Sequence, residues 1–194
     1  MINWLENWLI NHFDEFNESE EWIQIDTLDN PGWTVSIDTV GTELCNKPFM
    51  EVDKDEGDAD WIICRTIDNK FEGFGDPQKL GNILKIFQEW SEQNLIKLDF
   101  TMTKWIEQWY LSHCDDSWEH SYGVKIKTIS NANWAVLIDV METELENKKF
   151  SEIKNITSQQ DWIECNVENG IFNGKGDAKK LMTILNIFKK WTEL

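Results

Sequence analysis

Apolar and polar positions change their spacing along the chain in a fixed order. Trp4, Leu5, Trp8, Leu9 and His12 follow helical spacing with Glu6 and Asn7 opposite, which predicts an amphipathic helix. A polar stretch, Asp14 to Glu21, follows. From Ile23 the period becomes two: Ile23, Ile25 and Thr27 alternate with Gln24 and Asp26, and beyond Asn30-Pro31-Gly32 the residues Trp33, Val35 and Ile37 share a face. Such alternation marks half-buried strands, and Pro followed by Gly marks the turn between them. A further strand is predicted from Trp61 to about Thr66. Asp68-Asn69 reads as a tight hairpin turn leading to a last short strand at Phe71. Helical spacing then returns in Leu80, Ile83, Leu84, Phe87 and Trp90, with Asp76 predicted as the N-cap and Pro77 as the first helical residue.

The same order recurs 101 residues later. Residues 1–93 align with 102–194 without a gap, and 37 of the 93 pairs are identical. Trp4-Leu5-Glu6-Asn7-Trp8 meets Trp105-Ile106-Glu107-Gln108-Trp109, and Thr42-Glu43-Leu44 meets Thr143-Glu144-Leu145. A fixed-period match of this length means tandem copies of one module. The predicted fold class is α+β. It consists of two tandem repeats, each a small antiparallel sheet of four to five strands flanked by an N-terminal and a C-terminal helix, in α-β-β-β-β-α order. The expected boundaries are 1–93 for the first repeat, 94–101 for a short connector and 102–194 for the second repeat. The join carries Leu95, Ile96, Leu98 and Phe100 and lacks Gly and Pro. It is therefore expected to dock rather than to act as a loose tether.

Composition narrows the function classes. The formal net charge is -18. Nucleic-acid binding needs Lys and Arg against phosphate, so this charge argues against it, and against anionic membrane surfaces as well. It favours fast capture of a basic protein partner. Most of the excess lies in the first copy, where Glu51, Asp53, Asp55, Glu56, Asp58 and Asp60 form a dense acidic stretch; the second copy has Glu152-Ile153-Lys154-Asn155-Ile156 at its start instead. The stretch fails the calcium-loop pattern, because Cys64 stands at the twelfth position from Asp53 and Asp58 at the sixth. It reads either as a solvated loop or as an anionic contact surface. Ten of the twelve Trp pair at the 101-residue offset and are expected to pack in or near the core. Trp22 and Trp118 have no such partner and are the better candidates for specific contacts.

Catalytic and metal-binding sets are weak. His12 with Asp14, and His113 with Asp115, could pair imidazole and carboxylate for acid-base work, but neither copy supplies a shared nucleophile nearby. A His closing a helix C-terminus, where its positive form meets the dipole, is the preferred reading. His113, Cys114, Asp115, Glu119 and His120 match no zinc spacing. Gly73-Phe74-Gly75-Asp76 lacks the remainder of a phosphate-loop motif and reads as a strand-to-helix turn. No cofactor is expected. The four Cys include no CxxC, no apolar run approaches the length of a membrane span, and no signal peptide is visible. A reduced, cytoplasmic protein is expected.

Two groups of residues carry a family resemblance. Trp105-Ile106-Glu107-Gln108-Trp109-Tyr110, followed by Cys114-Asp115-Asp116-Ser117-Trp118-Glu119-His120-Ser121-Tyr122-Gly123-Val124, resembles the opening of the immunity protein 53 family of bacterial polymorphic-toxin systems. Thr27-Leu28-Asp29-Asn30-Pro31-Gly32-Trp33 and Gly41-Thr42-Glu43-Leu44 resemble its middle. The first copy keeps the Asn-Pro-Gly-Trp turn and the second keeps the Trp-Glu-His-x-Tyr-Gly element, so either each copy is partly degenerate or the two contribute jointly to one surface. The resemblance implies a small cytoplasmic antidote that binds and blocks a cognate toxin; taken with the net charge and the absent catalytic set, it leads to a non-enzymatic inhibitor that occludes a basic toxin surface. Its candidate contact residues are Glu51, Asp53, Asp55, Glu56, Asp58, Asp60, Trp22, Trp118, Glu119, His120 and Tyr122. The alternatives are an acidic nucleic-acid mimic and a small hydrolase using His113 and Asp115.

Overall fold

The computed structural model describes residues 1–13, 22–57, 59–92 and 99–193. The polar stretch 14–21, Asp58 and the part of the connector before Asp99 lie outside the described residues. The first copy forms α1 (Ile2–His12), β1 (Ile23–Leu28), β2 (Gly32–Asp38), β3 (Val52–Asp55), β4 (Trp61–Ile67), β5 (Lys70–Gly75) and α2 (Leu80–Ser91). The second forms α3 (Thr101–Leu111), β6 (Val124–Ile129), β7 (Asn133–Asp139), β8 (Ile153–Ser158), β9 (Asp161–Glu168), β10 (Ile171–Gly176) and α4 (Leu181–Glu193), with a 3₁₀ turn at Trp118–His120. The class is α+β. Hairpins at Asp68-Asn69 and Asn169-Gly170 place both central residues at positive φ, the geometry that matches strand twist.

Two local expectations need correction. Glu51 to Asp60 is not only a loop, because Val52–Asp55 is a strand paired with β4; its charged side chains hid the alternation. Asp76 does not cap the last helix, which begins at Leu80. Its carboxylate instead accepts N–H bonds from Gln78 at 2.9 Å and Trp61 at 3.1 Å, stitching a turn to β4. Asp177 does the same with Lys179 and Trp162, both at 2.9 Å.

The copies do not keep separate sheets. The strands form one antiparallel sheet in the order β3-β4-β5-β2-β1-β6-β7-β10-β9-β8. Hydrophobic alternation identifies a strand but not its neighbour. Each β1-type strand would otherwise present an unpaired backbone edge, and pairing the two edges removes both. At the seam Ile25 lies opposite Ile126, its own counterpart at the 101-residue offset, flanked by Gln24 with Lys127 and Asp26 with Lys125. The copies are thus related by a pseudo-two-fold axis through the seam.

All four helices serve one face of this sheet. That face carries Ile25, Val35, Cys64 and Phe71 with their counterparts Ile126, Val136, Cys165 and Phe172, all buried. Glycine is required at Gly73 and Gly174, where a Cβ would stand 2.2 Å from the Cγ2 of Ile83 or Ile184; the close approach lets helix and sheet meet. Phe87 receives the rings of Trp4 at 6.0 Å and Trp8 at 4.9 Å, and Phe188 receives Trp105 at 6.0 Å and Trp109 at 5.0 Å. Edge-to-face packing of this kind adds to area burial.

Glu6 and Glu107, at positions read from the sequence as a polar helix face, are buried. Each crosses between copies. Glu6 Oε1 accepts the Met182 N–H at 3.1 Å, at the start of α4, and Glu107 Oε1 accepts the Gly81 N–H at 2.7 Å, at the start of α2. A helix start leaves N–H groups without intrahelical partners and favours negative charge, so each copy caps the other's last helix. Burial, opposed by the hydrogen bond to Gly81, pushes the Glu107 carboxyl up to about 7. Burial likewise raises that of Glu6. Threonines complete the lock. Thr128 Oγ1 accepts N–H bonds from Trp22 at 2.8 Å and Ile23 at 3.1 Å, and Thr27 Oγ1 accepts that of Val124 at 3.0 Å. Among the described helices none is long and apolar enough to cross a membrane.

Candidate partner-binding surface

Directly paired residues of an antiparallel sheet point to the same side. The register therefore assigns the face away from the helices: Asp53 and Asp55 on β3, Trp61, Ile63 and Arg65 on β4, Glu72 and Phe74 on β5, Thr34 and Ser36 on β2, Gln24 and Asp26 on β1. In the second copy it assigns Lys125 and Lys127 on β6, Ala135 and Leu137 on β7, Asn173 and Lys175 on β10, Glu164 on β9, and Lys154 and Ile156 on β8. Apart from Ala135 these side chains are half-buried or exposed, and no described helix lies over them.

The two halves of this face differ in charge although they descend from one pattern. Asp26, Asp53, Asp55 and Glu72 are answered at the 101-residue offset by Lys127, Lys154, Ile156 and Asn173; Phe74 is answered by Lys175. The first half is acidic around apolar islands, and the second is lysine-bearing. At the seam the difference becomes an ion pair, Lys125 Nζ to Asp26 Oδ1 at 3.7 Å.

The candidate residues separate into groups. Glu51, Asp53, Asp55, Glu56 and Asp60 are exposed, on and beside the edge strand β3, while Asp58 lies outside the described residues. Asp60 is engaged with Lys79 at 2.6 Å, and Lys79 also lies 3.4 Å from Asp76. His120 is exposed and Tyr122 half-buried, its hydroxyl donating to Glu142 at 3.4 Å. Trp22 and Trp118 are not surface anchors: they are 1 % and 3 % exposed. Trp22 packs edge-on to Phe13 at 6.0 Å, and Trp118 to Trp109 at 6.1 Å, with its indole N–H donating to the Met141 carbonyl at 2.8 Å. Glu119 is also buried, its two oxygens accepting the Asp115 and Asp116 N–H groups at 3.0 Å each. An unpaired position along the repeat marked these residues as distinct but carried no information on which way they point.

The histidines hold the same place in both copies. His12 Nδ1 bonds the Trp8 carbonyl at 2.8 Å and Nε2 lies 3.0 Å from Glu43; His113 meets Trp109 at 2.7 Å and Glu144 at 3.1 Å. Burial opposes ionisation of Glu43, but its own backbone N–H and His12 outweigh it and hold the carboxyl below its usual range. The same holds for Glu144. Asp115 does not bond His113; it caps the 3₁₀ turn through the Ser117 and Trp118 N–H groups at 3.1 and 3.0 Å. Burial pushes the Cys114 thiol up to about 11, away from the range of a reactive thiolate. Among the described residues no His, Cys, Asp and Glu side chains gather as a metal site.

Besides a small cleft between Gly81 and Glu107, three larger clefts join residues of both copies. One, of about 460 Å³, lies at the seam between Asp26 to Asp29 of the first copy and Glu119 to Lys125 of the second. The part of the sequence beginning Thr27-Leu28-Asp29 and the part ending Tyr122-Gly123 meet there. The fit is close, since a Cβ on Gly123 would stand 2.0 Å from Thr27 Oγ1. The other two are related by the pseudo-two-fold axis. A cleft of about 490 Å³ sets Leu111 beside Pro31 and Trp61, and one of about 680 Å³ sets Ile10 beside Asn131 and Trp162. Sequence reasoning missed Asp29, Lys125, Leu137 and Asp139 at the seam. It also missed the locking pairs Glu6/Glu107 and Thr27/Thr128, although their identity between copies was a usable signal.

Comparison with known proteins agrees with the repeat. A family model described as Immunity protein 53 matches the chain twice, over residues 2–92 and 103–193. Among curated proteins and among solved structures nothing matches.

Proposed function

From the premise that the chain belongs to the immunity protein 53 family, we propose that it neutralises a cognate bacterial toxin by binding it through the open face of the sheet and occluding its working surface, without a chemical step of its own. One observation carries this reading: between the copies the helix-covered face is kept, while the open face has changed charge sign. Packing alone imposes no such change, whereas fitting one asymmetric partner does.

The partner chemistry follows from the first half. Asp53, Asp55 and Glu56 at one edge and Asp26 at the seam frame Trp61, Ile63 and Phe74. Apolar anchors inside a charged rim are the usual anatomy of a contact surface, and the carboxylates favour a basic toxin surface and speed its encounter. The strands from β3 to β1 span about 19 Å at the usual strand spacing, a width within reach of a standard interface of about 800 Å² per partner. A nucleic-acid mimic needs carboxylates spread at phosphate-like intervals, and Lys125, Lys127, Lys154 and Lys175 interrupt any such array. A hydrolase centred on His113 needs an imidazole free for substrate, whereas this one is engaged by Trp109 and Glu144.

The test is co-expression with the toxin domain encoded beside this gene. A stable complex and protection of the toxin-expressing cell are expected. Absence of both removes the proposal.

A further inference from the structure

The seam cleft is asymmetric in a way that specifies its occupant. Asp26 and Asp29 come from the first copy; Tyr122, Lys125, Leu137 and Asp139 come from the second. At the offset positions across the pseudo-two-fold axis stand Lys127, Ser130, Gln24, Ser36 and Asp38, with the counterpart of Tyr122 outside the described residues. Divergence has thus gathered carboxylates and apolar lining on one side of the axis. Four carboxylates, of Asp26, Asp29, Glu119 and Asp139, line this side against one ammonium, and that of Glu119 is already engaged by the Asp115 and Asp116 N–H groups.

Asp26 and Asp139 are only partly satisfied. One Asp26 oxygen accepts the Gln24 amide at 2.5 Å. The other receives no hydrogen bond and is enclosed, with the ammonium of the exposed Lys125 at 3.7 Å, so an arriving donor reaches it by displacing Lys125. One Asp139 oxygen accepts the Gly123 N–H at 3.0 Å. Burial raises the Asp139 carboxyl above its ordinary range, the direction an arriving cation reverses. Tyr122 and Leu137 also line the cleft.

We propose that this cleft receives an arginine side chain from the basic surface of the toxin, with its guanidinium between Asp26 and Asp139 and its plane against Tyr122. Arginine fits better than lysine: its flat fork donates to two carboxylates at once and stacks on an aromatic ring, while an ammonium is a single point of charge. Its aliphatic stem covers Leu137. This inference rests on the toxin-binding reading above and names the group that reading would place at the seam.

Two experiments separate the inference from its premise. In the first, N-acetyl-arginine amide is titrated into the ¹⁵N-labelled full chain. Saturable amide shifts centred on Asp26, Gly123 and Val124 are expected, with smaller shifts from N-acetyl-lysine amide at equal concentration and loss of the response in Asp26→Asn. Asp53→Asn should leave it unchanged. Shifts absent from the cleft, or of equal size along Asp53 to Asp60, overturn the inference whatever the toxin does. In the second, the affinity for the neighbouring toxin domain is compared between the native chain and Asp26→Asn, with melting curves confirming that both are folded. A loss of roughly 30-fold is expected for removing one partner of a desolvated charge pair. A complex of native affinity with both Asp26→Asn and Tyr122→Ala overturns the arginine site and leaves the toxin reading intact. Arginine binding without any toxin complex does the reverse.

Discussion

The two faces of the sheet have followed different rules. On the helix-covered face the copies are nearly interchangeable: Trp33 and Trp134, Phe71 and Phe172, and Phe87 and Phe188 are identical and almost fully buried. On the open face, Asp26, Asp53 and Phe74 became Lys127, Lys154 and Lys175, or the reverse. A close-packed interior penalises nearly any change of shape, so duplication left it alone. A solvated face tolerates change and records what it touches. The seam belongs to both regimes. Thr27 and Thr128 are kept, while Asp26 and Lys125 form a cross-copy ion pair that two first copies or two second copies could not make. Pairing two second copies would bring Lys125 opposite Lys127 twice, and like charges directly opposite are destabilising. The seam thus selects one of each.

The comparison can be broken most forcefully in the kept regime. Phe87→Ala and Phe188→Ala should each lower unfolding stability by about 3–5 kcal/mol, and by nearly equal amounts, measured by denaturant titration. A large inequality would mean that the two cores are not equivalent despite their matching ring geometry. Next comes the seam. Thr128→Val keeps the side-chain shape but leaves the Trp22 and Ile23 N–H groups without their acceptor, and should cost about 1–3 kcal/mol. Thr27→Val deprives only Val124 and should cost less. Equal costs would sink the idea that the seam is asymmetric.

A smaller effect is read from pH. The Glu107 carboxyl is raised from the ordinary glutamate value of about 4.5 to about 7, chiefly by burial, so the folded chain holds this proton more tightly than the unfolded one. Its contribution to stability is present in full below about pH 4.5 and is lost as pH rises through about 7. Glu107→Gln keeps an acceptor for the Gly81 N–H without the titration. The fall in melting temperature between pH 5 and 8 should therefore be shallower in Glu107→Gln than in the native chain. Parallel curves would show that Glu107 does not titrate in this window.

How far each feature was legible in the sequence follows the same division. The change from helical to alternating period located α1, β1, β2 and β4, because burial on one face writes its spacing into the residues. β3 was missed because an edge strand under solvent is written in charges, Asp53-Lys54-Asp55. The joining of the sheets was not legible, since Ile23, Ile25 and Thr27 alternate identically whether the outer edge is free or paired. The acidic edge was legible from composition, and the structure leaves it exposed. Trp22 and Trp118 were misread, because distinctness along the chain does not say which way a ring points. The seam cleft depends on Asp29 and Asp139, residues 110 positions apart in sequence, brought together only by the β1–β6 pairing.

Amide hydrogen exchange on the complex with the neighbouring toxin domain tests the assignment of the open face most directly. Added protection should appear in β1, β3, β4 and β5 and in the segment from His120 to Lys125, with α1 to α4 unchanged on their outer sides. Protection confined to the helices, or to the lysine-bearing strands β8 and β9, would contradict it.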